Sequence, residues 1–251
     1  MGICSSMEVK HQANYRSCLL LRISSDLHVV TIIITCLITA TGCGQSAPDY
    51  FPLGNDLEWE YSIQQIVNNE KSELKLIIAN LQGKEIDDIL YYPRKSASGH
   101  IYYFHKTPEA IYHSDEPGSP DAIVLKYPLE QGVKWRSGSG IYILERRHES
   151  FTGGESFISL DGTILLDYVI KSLNESVEVP AGRFANCVRI EASGSVHVNA
   201  RTRGVDHVVI EQTDWYAPDV GLVKSMRKEF TVPDKISGEM VQELVSVKQG
   251  W

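Results

Sequence analysis

The chain has 251 residues, 43% hydrophobic and 22% charged, enough for one sizeable core and unlike a disordered or fibrous composition. Its net charge is −8; Met1–Gly42 holds three cations and two anions, so the remainder carries −9. Without a dense basic cluster, that balance argues against nucleic acid and anionic lipid surfaces as charge-driven partners.

The first element is the uncharged run VVTIIITCLITATG, Val29 to Gly42. It is shorter than the roughly twenty residues a spanning helix needs. With Lys10, Arg16 and Arg22 ahead of it, it fits the apolar region of a secretion signal. The run ends in ATGC, Ala40 to Cys43, which resembles the bacterial lipobox. There, small residues let the peptidase approach the backbone and the cysteine thiol receives diacylglycerol. Ala40 stands where leucine is usual, Leu37 lies further back, Asp26 sits close to the run, and Met7 offers a second start.

The resemblance implies a cleaved signal peptide over 1–42, cut between Gly42 and Cys43. It implies lipidation of Cys43, a tether over 43–49 and an extracytoplasmic domain over 50–251 at the cell envelope. Several acyl chains on one residue anchor stably, because each buried methylene contributes about 0.8 kcal/mol. Gln45 rather than aspartate follows the cysteine by two, which favours an outer membrane over an inner one where both exist.

Of five cysteines, Cys4, Cys18 and Cys36 precede the cleavage point, leaving Cys43 and Cys187. A disulfide framework would need an even set within the folded part. Cys187, in the alternating run CVRIEA, reads as a core strand residue with no electropositive neighbourhood to activate it.

After the small, polar Gly44–Asp49, strands dominate. WEYSIQQIV, ELKLIIANL, HIYYFHK, AIVLKY, GIYILERR, ILLDYVIK, VRIEA, SVHVNA, HVVIEQTDWY, LVKSMRKEF and VQELVSVK are short and rich in Val, Ile and Tyr. SELKLIIANL has some helical character, but its β-branched content and the Gln82-Gly83 break favour a strand. Pro180 followed by Gly182 signals a type I turn, RTRGVD (Arg201 to Asp206) a hairpin tip, and APDVG (Ala217 to Gly221) a Pro-led turn. Strands at this spacing predict a mainly β chain, with one antiparallel sheet curled into a barrel or sandwich.

FPLGNDLEW (Phe51 to Trp59) and YPLEQGVKW (Tyr127 to Trp135) repeat an aromatic-Pro-Leu…Trp pattern, with prolines 76 residues apart. The repeat predicts that Trp59 and Trp135 are both buried at equivalent strand starts. Together with VPAGRFANCVRIE, WYAPDVGLVK and the closing ELVSVK, it resembles a TapB-like family of uncharacterised exported bacterial proteins over roughly Asp49 to Lys248. That resemblance implies a mostly antiparallel β domain and carries no activity or catalytic residues.

Chemistry-bearing motifs are sparse. His100, His105, His113, His148, His197 and His207 show no HxH or HExxH spacing, and no CxxC occurs, so no metal is expected. His197 and His207 flank the hairpin tip and are placed to face each other. SGSG, Ser137 to Gly140, lacks nucleophile-elbow spacing and reads as a flexible loop. Asp87-Asp88, Asp115-Glu116 and Asp161 read as solvated charge. No Walker-type or dinucleotide loop is present, and no cofactor is expected. The aromatics Tyr91-Tyr92, Tyr102-Tyr103-Phe104 and Trp215-Tyr216 put rings on both strand faces, one for the core and one for a ligand or partner. The expected function is a membrane-anchored, non-catalytic binding or envelope-scaffold module with no assigned ligand-binding residues. A carrier of lipid-like molecules in a half-barrel is the alternative, and an envelope hydrolase the third.

Overall fold

The computed structural model describes residues 47–54, 57–67, 69–144, 164–200, 204–233 and 236–249. The expected signal segment, its cut after Gly42, and Cys43 lie outside them, as do His148, Asp161 and Arg201 to Arg203 of the expected hairpin tip.

Among the described residues, the first half of the chain forms β1 (Leu57–Val67), β2 (Glu70–Asn80), β3 (Lys84–Ile86), β4 (Ile89–Ser96), β5 (Ile101–Lys106), β6 (Ala110–Ser114) and β7 (Ala122–Lys126). The second half forms β8 (Lys134–Ser139), β9 (Ile164–Val179), β10 (Gly182–Ala200), β11 (Gly204–Ala217), β12 (Gly221–Val232) and β13 (Ser237–Gln249). All pairings are antiparallel, in the order β7-β6-β5-β4-β2-β1-β13-β12-β11-β10-β9-β8, with β3 paired to β4 alone. The sheet curls into a nearly closed barrel, as the strand spacing predicted.

The terminal strands of that order, β7 and β8, meet without a backbone ladder. Side chains of β8 stand in for it: the Ile123 N–H donates to Ser137 Oγ at 2.7 Å, and the Trp135 indole N–H donates to the Ile123 carbonyl at 3.3 Å.

Alternation sets which side chains enter the barrel. In β1, Trp59, Tyr61, Ile63 and Gln65 are buried while Glu58, Glu60, Ser62 and Gln64 between them are less so. Trp59 is 2% exposed at the third position of β1 and Trp135 is 6% exposed at the second position of β8, so both tryptophans of the repeat are buried near strand starts.

Several expected elements differ. AIYHS forms strand β6, which is not among the expected runs, and Tyr91-Tyr92 lie on strand β4, as expected. VRIEA and SVHVNA are one strand, β10, because the Gly194 break continues through the ladder. Ser137–Ser139 of the expected SGSG loop are strand, closing the seam. Gly140 to Leu144 of the expected strand GIYILERR, whose last three residues lie outside the described ones, make no strand; they plug one end of the barrel, with Ile141 and Ile143 buried. A Cβ on Gly238 would collide with Ile143, so the plug requires glycine there.

The other end is stoppered by Asp49–Gly54, which seats Phe51 and Leu53 in the core with Phe104, Ile111, Leu125 and Ile170. Asp49 exchanges hydrogen bonds with Asp219: its N–H donates to Asp219 Oδ1 at 2.9 Å, and the Asp219 N–H donates to its carbonyl at 2.8 Å.

Candidate binding surface

The barrel's inner face carries a polar chain of contacts across β11 and β12. The hydroxyl of Ser225 donates to Asp214 Oδ1 at 2.6 Å, and the Gln212 amide donates to Asp214 Oδ2 at 2.7 Å. Arg227 Nη1 donates to Gln212 Oε1 at 2.8 Å, and Arg227 Nε to Glu229 Oε1 at 2.7 Å. The Arg227 and Glu229 side chains are 1% and 0% exposed, so this ion pair is fully desolvated.

It persists because the carboxylate's remaining acceptor sites are used. Glu229 accepts from the backbone N–H groups of Tyr142, Ile143 and Leu144 at 3.2, 3.0 and 3.1 Å. Arg227 in turn donates to the Gly140 carbonyl and to Ser139 Oγ, and lies over the Tyr142 ring at 4.1 Å. These residues hold the plug. Burial raises the Asp214 carboxyl pKa, opposed by the bonds from Ser225 and Gln212 and by the charge on Arg227.

At the opposite end a second arginine works without a carboxylate. The Arg94 guanidinium lies 4.8, 4.6 and 4.8 Å from the rings of Phe51, Trp59 and Phe104. Its Nε donates to Asn80 Oδ1 at 2.9 Å and its Nη2 to the Pro52 carbonyl at 3.4 Å; Asn80 donates to the Gly54 carbonyl at 2.8 Å. Desolvation lowers the pKa of Arg94 to about 10, opposed by Tyr61 and Tyr216.

An open concavity lies on the outer face of β9–β13. It is a trough of about 550 Å³, within the ~300–1,000 Å³ of small-ligand pockets. Two cross-strand rows line it. The first runs Val169, Glu191, Thr213, Met226, Val241, and the second Asp167, Ser193, Glu211, Lys228, Glu239. The first row supplies the floor: Val169 and Val241 are half-buried and Met226 is 43% exposed.

Most of the charges are already paired. Asp167 takes a bidentate fork from Arg136 at 2.7 and 2.8 Å, Glu191 meets Lys171 at 3.3 Å, and Glu239 meets Lys228 at 3.6 Å. Glu211, exposed near the centre, stands directly opposite Lys228 in the β11–β12 register.

The trough went unseen in the sequence because of β12. In GLVKSMRKEFTV the face bearing Met226 and Phe230 also carries Lys224 and Lys228 and turns outward. The inward face carries Val223 and then four polar residues, Ser225, Arg227, Glu229 and Thr231. The signal was this inverted alternation; Arg227 and Glu229 serve the plug, Ser225 bonds Asp214, and Thr231 bonds Ile236.

The residues singled out in the sequence fall elsewhere. Cys187 is fully buried, its thiol donating to the Phe184 carbonyl at 3.6 Å and its pKa raised by burial. His197 and His207 are register partners and stack at 4.5 Å, as their placement suggested. His105 stacks on Tyr112 at 4.7 Å, with Asp121 3.8 Å away, beyond hydrogen-bond reach. Asp87 and Asp88 occupy a turn with positive φ. Among the described residues no three His, Cys, Asp or Glu side chains converge as metal ligands.

No family model and no curated protein matches the chain, so the TapB-like resemblance rests on its sequence motifs. Two solved structures superpose loosely. One, from Bacteroides fragilis, is provisionally described as an exported protein with a YmcC-like fold; it has a TM-score of 0.41 at 13% identity, covering 80% of this chain and 100% of that one. The other, from Parabacteroides distasonis and provisionally described as a lipoprotein, has a TM-score of 0.40 at 13% identity, covering 81% and 100%. Likenesses this loose assign neither a family nor an activity.

Proposed function

We propose that the chain is an envelope lipoprotein, anchored through a lipidated Cys43, whose barrel is a non-catalytic binding module for a protein partner. The supporting observation is where space is left. Both barrel ends are stoppered by the chain itself, while a concavity open to a partner lies outside on β9–β13. A carrier of lipid-like molecules needs an interior cavity, and here Ile111, Leu125, Ile170 and Ile190 pack the interior.

Two measurements test the reading. Mass spectrometry of the mature amino terminus should find an acylated Cys43 in wild type and none in Cys43→Ser; an unmodified wild-type chain removes the anchor. A photoreactive residue at Met226 or Val241, introduced into cells, should crosslink to a protein where one at Lys84 does not. Silence at both trough positions removes the binding role.

A further inference from the structure

We propose that His197 and His207 form a two-histidine site for a divalent late transition-metal ion of the zinc class. The site goes beyond the binding-module reading and does not depend on it.

Topology makes the pair. Ten positions separate the two histidines, a spacing without a metal-site signature, but the β10–β11 hairpin sets them directly opposite each other. Opposed residues carry their Cβ atoms ~5 Å apart on one face of a sheet. The two imidazoles accordingly lie parallel, 6° apart in plane and 4.5 Å between centroids. On the other face, Val196 and Val208 pack with Leu166, Ala192 and Ile210, which holds both backbones in register beneath the rings.

Coordination needs little movement. Each neutral imidazole carries one nitrogen lone pair. Two nitrogens at ~2.05 Å from a tetrahedral ion stand ~3.4 Å apart, so from the stacked arrangement each ring closes by about half an ångström. His197 is exposed and His207 half-buried, so an ion in solution reaches both.

The donor set selects the ion. Two uncharged nitrogens suit zinc, nickel and copper(II), whereas calcium and magnesium require oxygen ligands. Val232, the neighbour of His207 on β12, adds no ligand. Among the described residues no third His, Cys, Asp or Glu converges on the pair. Two of four tetrahedral positions therefore stay open to water or to a ligand from outside, unlike the closed shell of a structural zinc. The ion held there is exchangeable.

Isothermal titration of the purified full-length protein with zinc chloride tests the site, with circular dichroism confirming that each variant keeps the strand signal. Wild type should take up one equivalent at its tightest site. His197→Gln and His207→Gln should each weaken that site about a hundredfold, because the second ligand acts at high effective concentration. The double variant should fall no further than either single, since the two rings share one ion. His100→Gln, at an exposed histidine that stacks on Tyr102 instead, should leave the affinity unchanged. In wild type, the ring resonances of His197 and His207 should move together in NMR spectra up to one equivalent of zinc.

No uptake, or uptake at several equally weak sites, overturns the proposal. So do single-variant losses that add in the double variant, a response to His100→Gln as large as theirs, or movement of one ring alone.

Discussion

The two ends of the barrel carry out the same task with different chemistry. At one end the plug Gly140–Leu144 turns three consecutive N–H groups inward, and these need an acceptor. A carboxylate supplies it, and a carboxylate so deeply buried requires a cation beside it; hence Glu229 with Arg227. At the other end the segment Asp49–Gly54 turns carbonyls inward, at Pro52 and Gly54, and Pro52 has no N–H to satisfy. Donors suffice there, so Asn80 and Arg94 serve without an acid, and aromatic faces share the charge. Whichever backbone groups a segment without a ladder presents determine the side chains buried against it.

That contrast sets the order of expected effects. Glu229→Ala orphans three buried N–H groups and leaves the Arg227 charge unpaired, so urea unfolding should show a loss of about 3–5 kcal/mol. Replacing Arg227 and Glu229 together with Met and Leu should cost less than Glu229→Ala alone; a larger loss for the double replacement would mean that the pair stabilises beyond mutual neutralisation.

At the other end, Arg94→Met removes the donors and the ring contacts but also a desolvated charge. The expected loss is smaller, about 2 kcal/mol. If it matched that of Glu229→Ala, the distinction between the two ends would be wrong.

Alkali should probe the shared interior next. Desolvation raises the pKa values of Tyr216 and Tyr61 well above 10, so the unfolded chain loses these protons first and the folded chain retains them. Their contribution is present below pH 10 and is lost as pH rises beyond it. Tyr216→Phe should flatten the fall of stability between pH 10 and 11.5 by up to about 1.4 kcal/mol per pH unit. An unchanged slope would place that hydroxyl in water.

The seam should respond least. Ser137→Ala deletes the acceptor for the Ile123 N–H and should cost about 1 kcal/mol, read as faster amide exchange at Ile123. Protection as strong as in wild type would show that the seam does not depend on that hydroxyl.

Much of the architecture was legible beforehand because local rules suffice for it. Alternation in β1 and β9–β13, the Pro180 and Pro218 turns, the buried tryptophans of the repeat, the core position of Cys187 and the facing pair His197 and His207 all follow from a period of two and from turn chemistry. GIYIL failed that treatment because β-branched residues at strand-like spacing also suit a plug whose hydrogen bonds come from distant side chains. SGSG failed because a serine acting as a ladder substitute looks the same in sequence as one in a loop.

By itself the amino-acid sequence determined that this chain is a curled antiparallel sheet with turns at defined residues, since side-chain period and backbone restriction act within a few residues. Tertiary structure alone decided which face of β12 is inside and that Arg227 and Glu229 are desolvated together. Those outcomes depend on groups about 15 to 90 residues apart meeting across the barrel, where burial sets the energy of each charge.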